Sequence, residues 1–191
     1  MQKIERSEIL PIGEYETIRE RFRARVIQEK KARRVRLCDI LSLTFENRDT
    51  VLMQIQEMTR TERITSEDGI RHEIDTYNEL VPGDGELSIT LYVEIPEKTE
   101  RLSKLVDLCG LEDHVALEID GERSPAVGKR LGDAMGRTTA VHYLKFLLSD
   151  RAREGLLSEK AKVLMTVNHP ALTASVELGP ETRRSLAGDL R

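Results

Sequence analysis

Leu87-Ser88-Ile89-Thr90-Leu91-Tyr92-Val93-Glu94-Ile95 decides the fold. Apolar residues fall on every second position, the period of a pleated strand that buries one face. Just ahead stands Pro82-Gly83-Asp84-Gly85, the strongest turn signal in the chain. Just behind, Pro96 suits the first turn of a helix over 96–109. Glu97/Arg101 and Glu100/Lys104 pair at i,i+4 in that helix, and Gly110 is placed to end it. Further out, Val115, Leu117 and Ile119 mark a second strand closed by Asp120-Gly121. Residues 122–138 read as irregular connection. A third strand is expected over 139–148, a short helix over 150–158, and a closing pair over 161–167 and 172–178 joined by Asn168-His169-Pro170-Ala171. Gly179-Pro180 opens a short terminal helix. Links this brief favour one continuous, mainly antiparallel or mixed sheet.

Ahead of the turn the period is helical. Tyr15, Ile18, Phe22 and Val26 recur at three and four in a helix over 11–31, and Val51, Ile55 and Met58 do so over 50–64. A further helix is expected over 70–80. Residues 33–46 alternate in short stretches, as strands or an extended connection. The fold class is therefore α+β, with N-terminal helices packed on a C-terminal sheet. One domain over 1–191 is expected, and 82–85 is the one plausible seam.

At 39% hydrophobic and 34% charged residues the chain has enough patterned apolar sequence to fold. No run approaches a membrane span, and the first ten residues lack a secretory apolar stretch, which points to the cytoplasm. Cys38 and Cys109 are far apart and suggest neither a disulfide framework nor a cysteine zinc site. Cys109 follows Leu102, Leu105 and Val106 and reads as a buried small hydrophobe. Net charge is −4, yet residues 19–36 hold nine basic residues against Glu20 and Glu29, a local +7 that leaves −11 elsewhere. That basic segment either meets an acidic partner or phosphates, or neutralises the chain's own acidic remainder.

Four residues are candidate metal ligands or acid–base groups: Glu57, Glu62, His142 and His169. Glu62 continues the spacing of Val51, Ile55 and Met58 onto the apolar face, where a carboxylate needs a partner. An arginine of the opening helix is the preferred structural partner. In the functional alternative Glu57 and Glu62 do chemistry while Gln54, Arg60 and Arg63 bind an anion. His142 shares a strand face with Ala140, Leu144 and Phe146 and reads as a core histidine, whereas His169 sits in a loop better placed for chemistry. Either histidine converging with either glutamate would suit zinc, iron or manganese, although no cofactor is required. His72 and His114 read as surface positions. Lys30, Lys31, Arg33 and Arg34 are candidates for binding an anion, a protein partner or nucleic acid. A pI near 5.7 and the absence of tryptophan weigh against nucleic acid. No nucleophile elbow, phosphate loop, dinucleotide fingerprint or His-Glu-x-x-His occurs.

Several separated segments carry a resemblance: Phe22-Arg23, Val26-Ile27, Lys30-Lys31 and Arg33-Arg34-Val35; Gln54 to Met58 with Arg60, Glu62, Arg63 and Ile64; Asp75-Thr76-Tyr77-Asn78; Ala140 to Leu144; and Asn168 to Ala171. Together they resemble the bacterial family catalogued as domain of unknown function 3501. The resemblance implies a small cytoplasmic bacterial protein linked to redox metabolism, and brings no catalytic residues. A non-catalytic or accessory binding protein, with a protein partner or as a homo-oligomer, is the expected function. A metal-dependent enzyme is the alternative, and a nucleic-acid-binding protein the third reading.

Overall fold

The computed structural model describes residues 1–128 and 136–190. In chain order these form α1 (Ile12–Arg33), β1 (Arg34–Arg36), β2 (Leu41–Glu46), α2 (Arg48–Thr61), α3 (Glu67–Asn78), β3 (Glu86–Val93) and α4 (Lys98–Asp107). Then follow β4 (Val115–Ile119), β5 (Glu122–Pro125), β6 (Val127–Gly128), β7 (Val141–Leu147), α5 (Asp150–Leu157), β8 (Val163–His169), β9 (Leu172–Glu177) and α6 (Pro180–Asp189). The class is α+β, and every strand pairing is antiparallel.

The single expected layer is two sheets, ordered β1-β2-β3-β7-β6 and β5-β4-β8-β9. Residues 122–128 make the difference. They read as irregular connection but form β5 on one sheet and β6 on the other. Pro125 has no N–H for a ladder, so regular pairing stops there. Ala126 then donates to Val115 O at 2.9 Å before Val127 and Gly128 pair with β7. Residues 129–135 of that expected connection lie outside the described residues. The first sheet also takes β1 and β2 from ahead of the 82–85 turn, so chain from both sides of the expected seam shares one ladder.

Between the sheets lies the main core, to which β2 sends Leu41, Leu43 and Phe45, β3 sends Leu87, Ile89 and Leu91, and the second sheet sends Val115, Leu117 and Met165. A smaller cluster of Ile4, Ile9, Val51, Ile55, Ile70 and Ile74 joins α2, α3 and the N-terminal segment above the outer face of the first sheet. Because β2 and β3 are covered on both sides, their hydrophilic positions are buried too: Ser42, Thr44, Glu46, Ser88 and Thr90 are all under 5% exposed.

Local chemistry sets the ends of the helices. Asn47 caps α2, accepting from Thr50 N, and Glu97 caps α4, accepting from Thr99 N and Glu100 N. Asp120 and Gly121 both have positive φ, the requirement of a tight hairpin turn. Cys109 is exposed instead of buried, because α4 turns Leu105 and Leu108 inward while Leu102 and Val106 face out.

Candidate functional site

Glu57 takes the place expected for Glu62. The helix over 50–64 ends at Thr61, with Glu62 as its C-cap and Arg63 at φ 54°, so the helical spacing lapses before it reaches Glu62. Glu62 and Arg63 are exposed. The carboxylate that meets the opening helix is one turn earlier. Arg19 donates to Glu57 with Nε at 2.8 Å and Nη2 at 2.9 Å, and Tyr15 donates its hydroxyl at 2.7 Å. Arg23 and Arg60 stand at 3.8 and 3.6 Å. The Arg19 hydrogen bond, partly opposed by burial, holds the Glu57 carboxyl down at about 2, and burial with the Glu57 contact pushes the Tyr15 phenol up. A carboxylate so fully met joins two helices. Arg60, a candidate for binding an anion, is committed to Glu57 and to Glu16 at 3.4 Å, while Gln54 is half-buried on α2.

The sign of the pH effect follows. Glu57 titrates below its ordinary value of 4.5, so it contributes stability above about 4.5 that is lost as pH falls toward 2. Glu57→Gln is expected to cost about 1–2 kcal/mol at pH 7, at the low end for hydrogen bonds to a charged group because the site is partly wet. In urea titrations the gap to the parent protein should close as pH is lowered. A gap constant from pH 7 to 2 would refute the assignment.

The two histidines sit in two other places. His142 is buried on the inner face of β7, with Thr138 Oγ1 3.2 Å from Nε2 and Glu112 Oε2 3.7 Å from Nδ1. Burial pushes its imidazole down, opposed by the Glu112 charge and a hydrogen bond to the Thr139 backbone. His169 is held by backbone on both sides. Ala171 N donates to its Nδ1 at 3.1 Å, so Nε2 carries the proton and donates to Cys109 O at 3.1 Å. Its ring meets that of His114 edge-on at 4.8 Å, which gives His114 a companion that the spacing does not indicate. Glu57, Glu62, His142 and His169 therefore do not converge. Among the described residues no three His, Cys, Asp or Glu side chains gather to hold a metal ion.

Most arginines of the basic segment pair with other groups of the chain, Arg33 in the interior and the rest at the surface. Arg33 is 2% exposed and grips Asp189 with two hydrogen bonds of 2.6 and 2.8 Å, so it cannot bind an external anion. Arg34 pairs with Glu94 at 2.6 Å, Arg25 with Asp49 at 2.7 Å, and Arg36 donates to Asp39 O. Five arginines of the segment, Arg19, Arg23, Arg25, Arg33 and Arg34, thus pair with the chain's own carboxylates Glu57, Asp49, Asp189 and Glu94. Lys30 is half-buried and Lys31 exposed.

What the period-two reading of β3 misses lies on its polar side. Across the outer face of the first sheet the register aligns Glu46, Ser88 and Lys145 in one row and Thr44, Thr90 and Tyr143 in the next. Thr50 and Thr90 donate their hydroxyls to Glu46, which is 1% exposed. Ser88 is equally buried, and its hydroxyl has no hydrogen-bond partner. Next to it opens a cavity of about 360 Å³ between α3 and the β3-β7-β6 edge, lined by Tyr77, Leu80, Ser88, Tyr143, Leu144 and Lys145 among others. Gly128 lets β6 close the rim, since a Cβ there would lie 2.5 Å from Leu144 Cδ2. One sequence signal was present: the polar positions of β2 and β3 are mostly Ser, Thr and Tyr, with few of the long charged side chains that a wet face carries.

The fold and this site define an α+β protein with a hydroxyl-rich sheet face roofed by helices and opening into a small, mainly apolar cavity. The chain belongs to the family described as protein of unknown function DUF3501, whose model matches residues 3–190. It is similar, at 36% identity over 100% of both chains and with a TM-score of 0.93, to a Burkholderia pseudomallei K96243 protein whose crystal structure is described as a novel protein of unknown function. A comparison with curated proteins finds no match. Among the described residues no helix is long and apolar enough to cross a membrane.

Proposed function

We propose that this is an accessory binding protein of the bacterial cytoplasm that takes a small organic molecule in the cavity between α3 and the first sheet. The observation that carries the reading is the Ser88 hydroxyl, 1% exposed, without a partner, and on the cavity wall. An unmet buried hydroxyl costs about 1–3 kcal/mol, so a ligand that bonds to it offsets a standing deficit. The volume falls at the small end of ligand pockets, and the lining mixes apolar walls with a few polar groups as such pockets do. Catalysis by Ser88 has no support, because no base lies within hydrogen-bond reach of its hydroxyl. The link to redox metabolism rests on the family resemblance.

Ser88→Ala tests the reading directly. Removing an unpaired hydroxyl should raise stability in urea by about 1 kcal/mol. A loss of similar size would mean that the hydroxyl has a structural partner, and would sink the proposal.

A further inference from the structure

We infer that the cavity selects an uncharged aromatic molecule carrying one hydrogen-bonding group, a phenol or aromatic amide; this rests on reading the cavity as a ligand site. The charges around it exclude an anion. Lys145 is the cation on its lining among the described residues, and its ammonium is already held by Glu86 Oε2 at 2.9 Å and Val81 O at 3.3 Å. Glu86 is fixed in turn by Gly83 N–H at 2.8 Å. An anionic ligand would have to displace that carboxylate, with a second carboxylate, Glu46, one strand beyond Ser88 in the same row. Burying a charge without a counter-charge is strongly unfavourable.

A cation fares no better. Glu79, the carboxylate on the lining among the described residues, already has an interaction partner, Glu46 accepts from Thr50 and Thr90 away from the lining, and Glu86 is taken by Lys145. The rest of the lining is mainly apolar and aromatic, with Thr76 beside it. Tyr77 comes from α3 and Tyr143 from β7, with Leu80, Val127 and Leu144 filling the rest of the wall. Two tyrosine rings from different elements favour a flat ring in offset or edge-on contact. The Ser88 hydroxyl is the fully buried, unmet polar group on the wall among the described residues, able to donate once and accept twice.

The test uses the full chain, uniformly 15N-labelled, with five single-ring probes: phenol, benzamide, toluene, benzoate and benzylamine. Phenol and benzamide should move amide resonances of residues 77, 88 and 143 saturably, while benzoate and benzylamine bind at least tenfold more weakly. Ser88→Ala should weaken phenol about tenfold and leave toluene unchanged. Benzoate or benzylamine binding as tightly as benzamide would overturn the selection for neutral ligands and leave the cavity reading in place. No response to any probe at millimolar concentration would also overturn it, and the cavity reading would then be judged by the stability of Ser88→Ala alone.

Discussion

Asp189→Ala is expected to cost about 3–5 kcal/mol, the usual loss when one member of a buried ion pair is removed. The Arg33 and Asp189 side chains are 3% and 6% exposed, and the two hydrogen bonds between them tie the end of α1 to the last turn of α6. Without Asp189 the guanidinium stays buried, with Glu29 at 3.4 Å as its remaining counter-charge. Leu186 and Leu190, which α6 and its C-cap place in the main core, should loosen with it. The double variant Arg33→Met/Asp189→Leu removes both charges and should recover most of the loss, because apolar residues of similar volume often replace a buried pair at little cost. Urea midpoints with unchanged slope would check this. A single-variant loss below about 1 kcal/mol would show that the α6 end contributes little to the fold.

Gly128→Ala should cost about 1–3 kcal/mol, the range for overpacking, and should also weaken any ligand of the cavity. A Cβ there would stand 2.5 Å from Leu144 Cδ2 and 2.8 Å from Tyr143 O. The side-chain atom can turn away, but the carbonyl belongs to the β7 ladder and cannot. Since β6 is only Val127 and Gly128, one lost pairing frees the strand and with it the cavity rim. Gly13 in α1 is the control, because nothing lies within 4 Å of a Cβ added there. Gly13→Ala should be neutral or up to about 1 kcal/mol stabilising, as alanine is the better helix residue. Equal effects of the two substitutions in urea would remove the steric argument.

The polar face of β3 explains why the candidate site was hard to read. Alternation in residues 87–95 marks which side chains share a face, and that holds. Whether the second face meets water depends on α2 and α3, which arrive from earlier in the chain, and no local period encodes that. The same limit moved the arginine-bound carboxylate from Glu62 to Glu57. The chemistry, a glutamate of this helix bound by an arginine of α1, was legible, but its position depended on where α2 unwinds. His142 as a core residue was legible from its strand neighbours, whereas the backbone grip on His169 requires Cys109, sixty residues away, to be alongside.

By itself the sequence determined the α+β class, most of the helices and strands, the tight turn at Asp120-Gly121 and the family resemblance, because each is written in spacings of two to four residues or in turn chemistry. Tertiary structure alone decided that the strands divide into two sheets, that most arginines of the basic segment pair with the chain's own carboxylates, and that a buried serine stands unmet beside a cavity. Those depend on which distant surfaces exclude water from one another, a property of the packed chain that no local run of residues specifies.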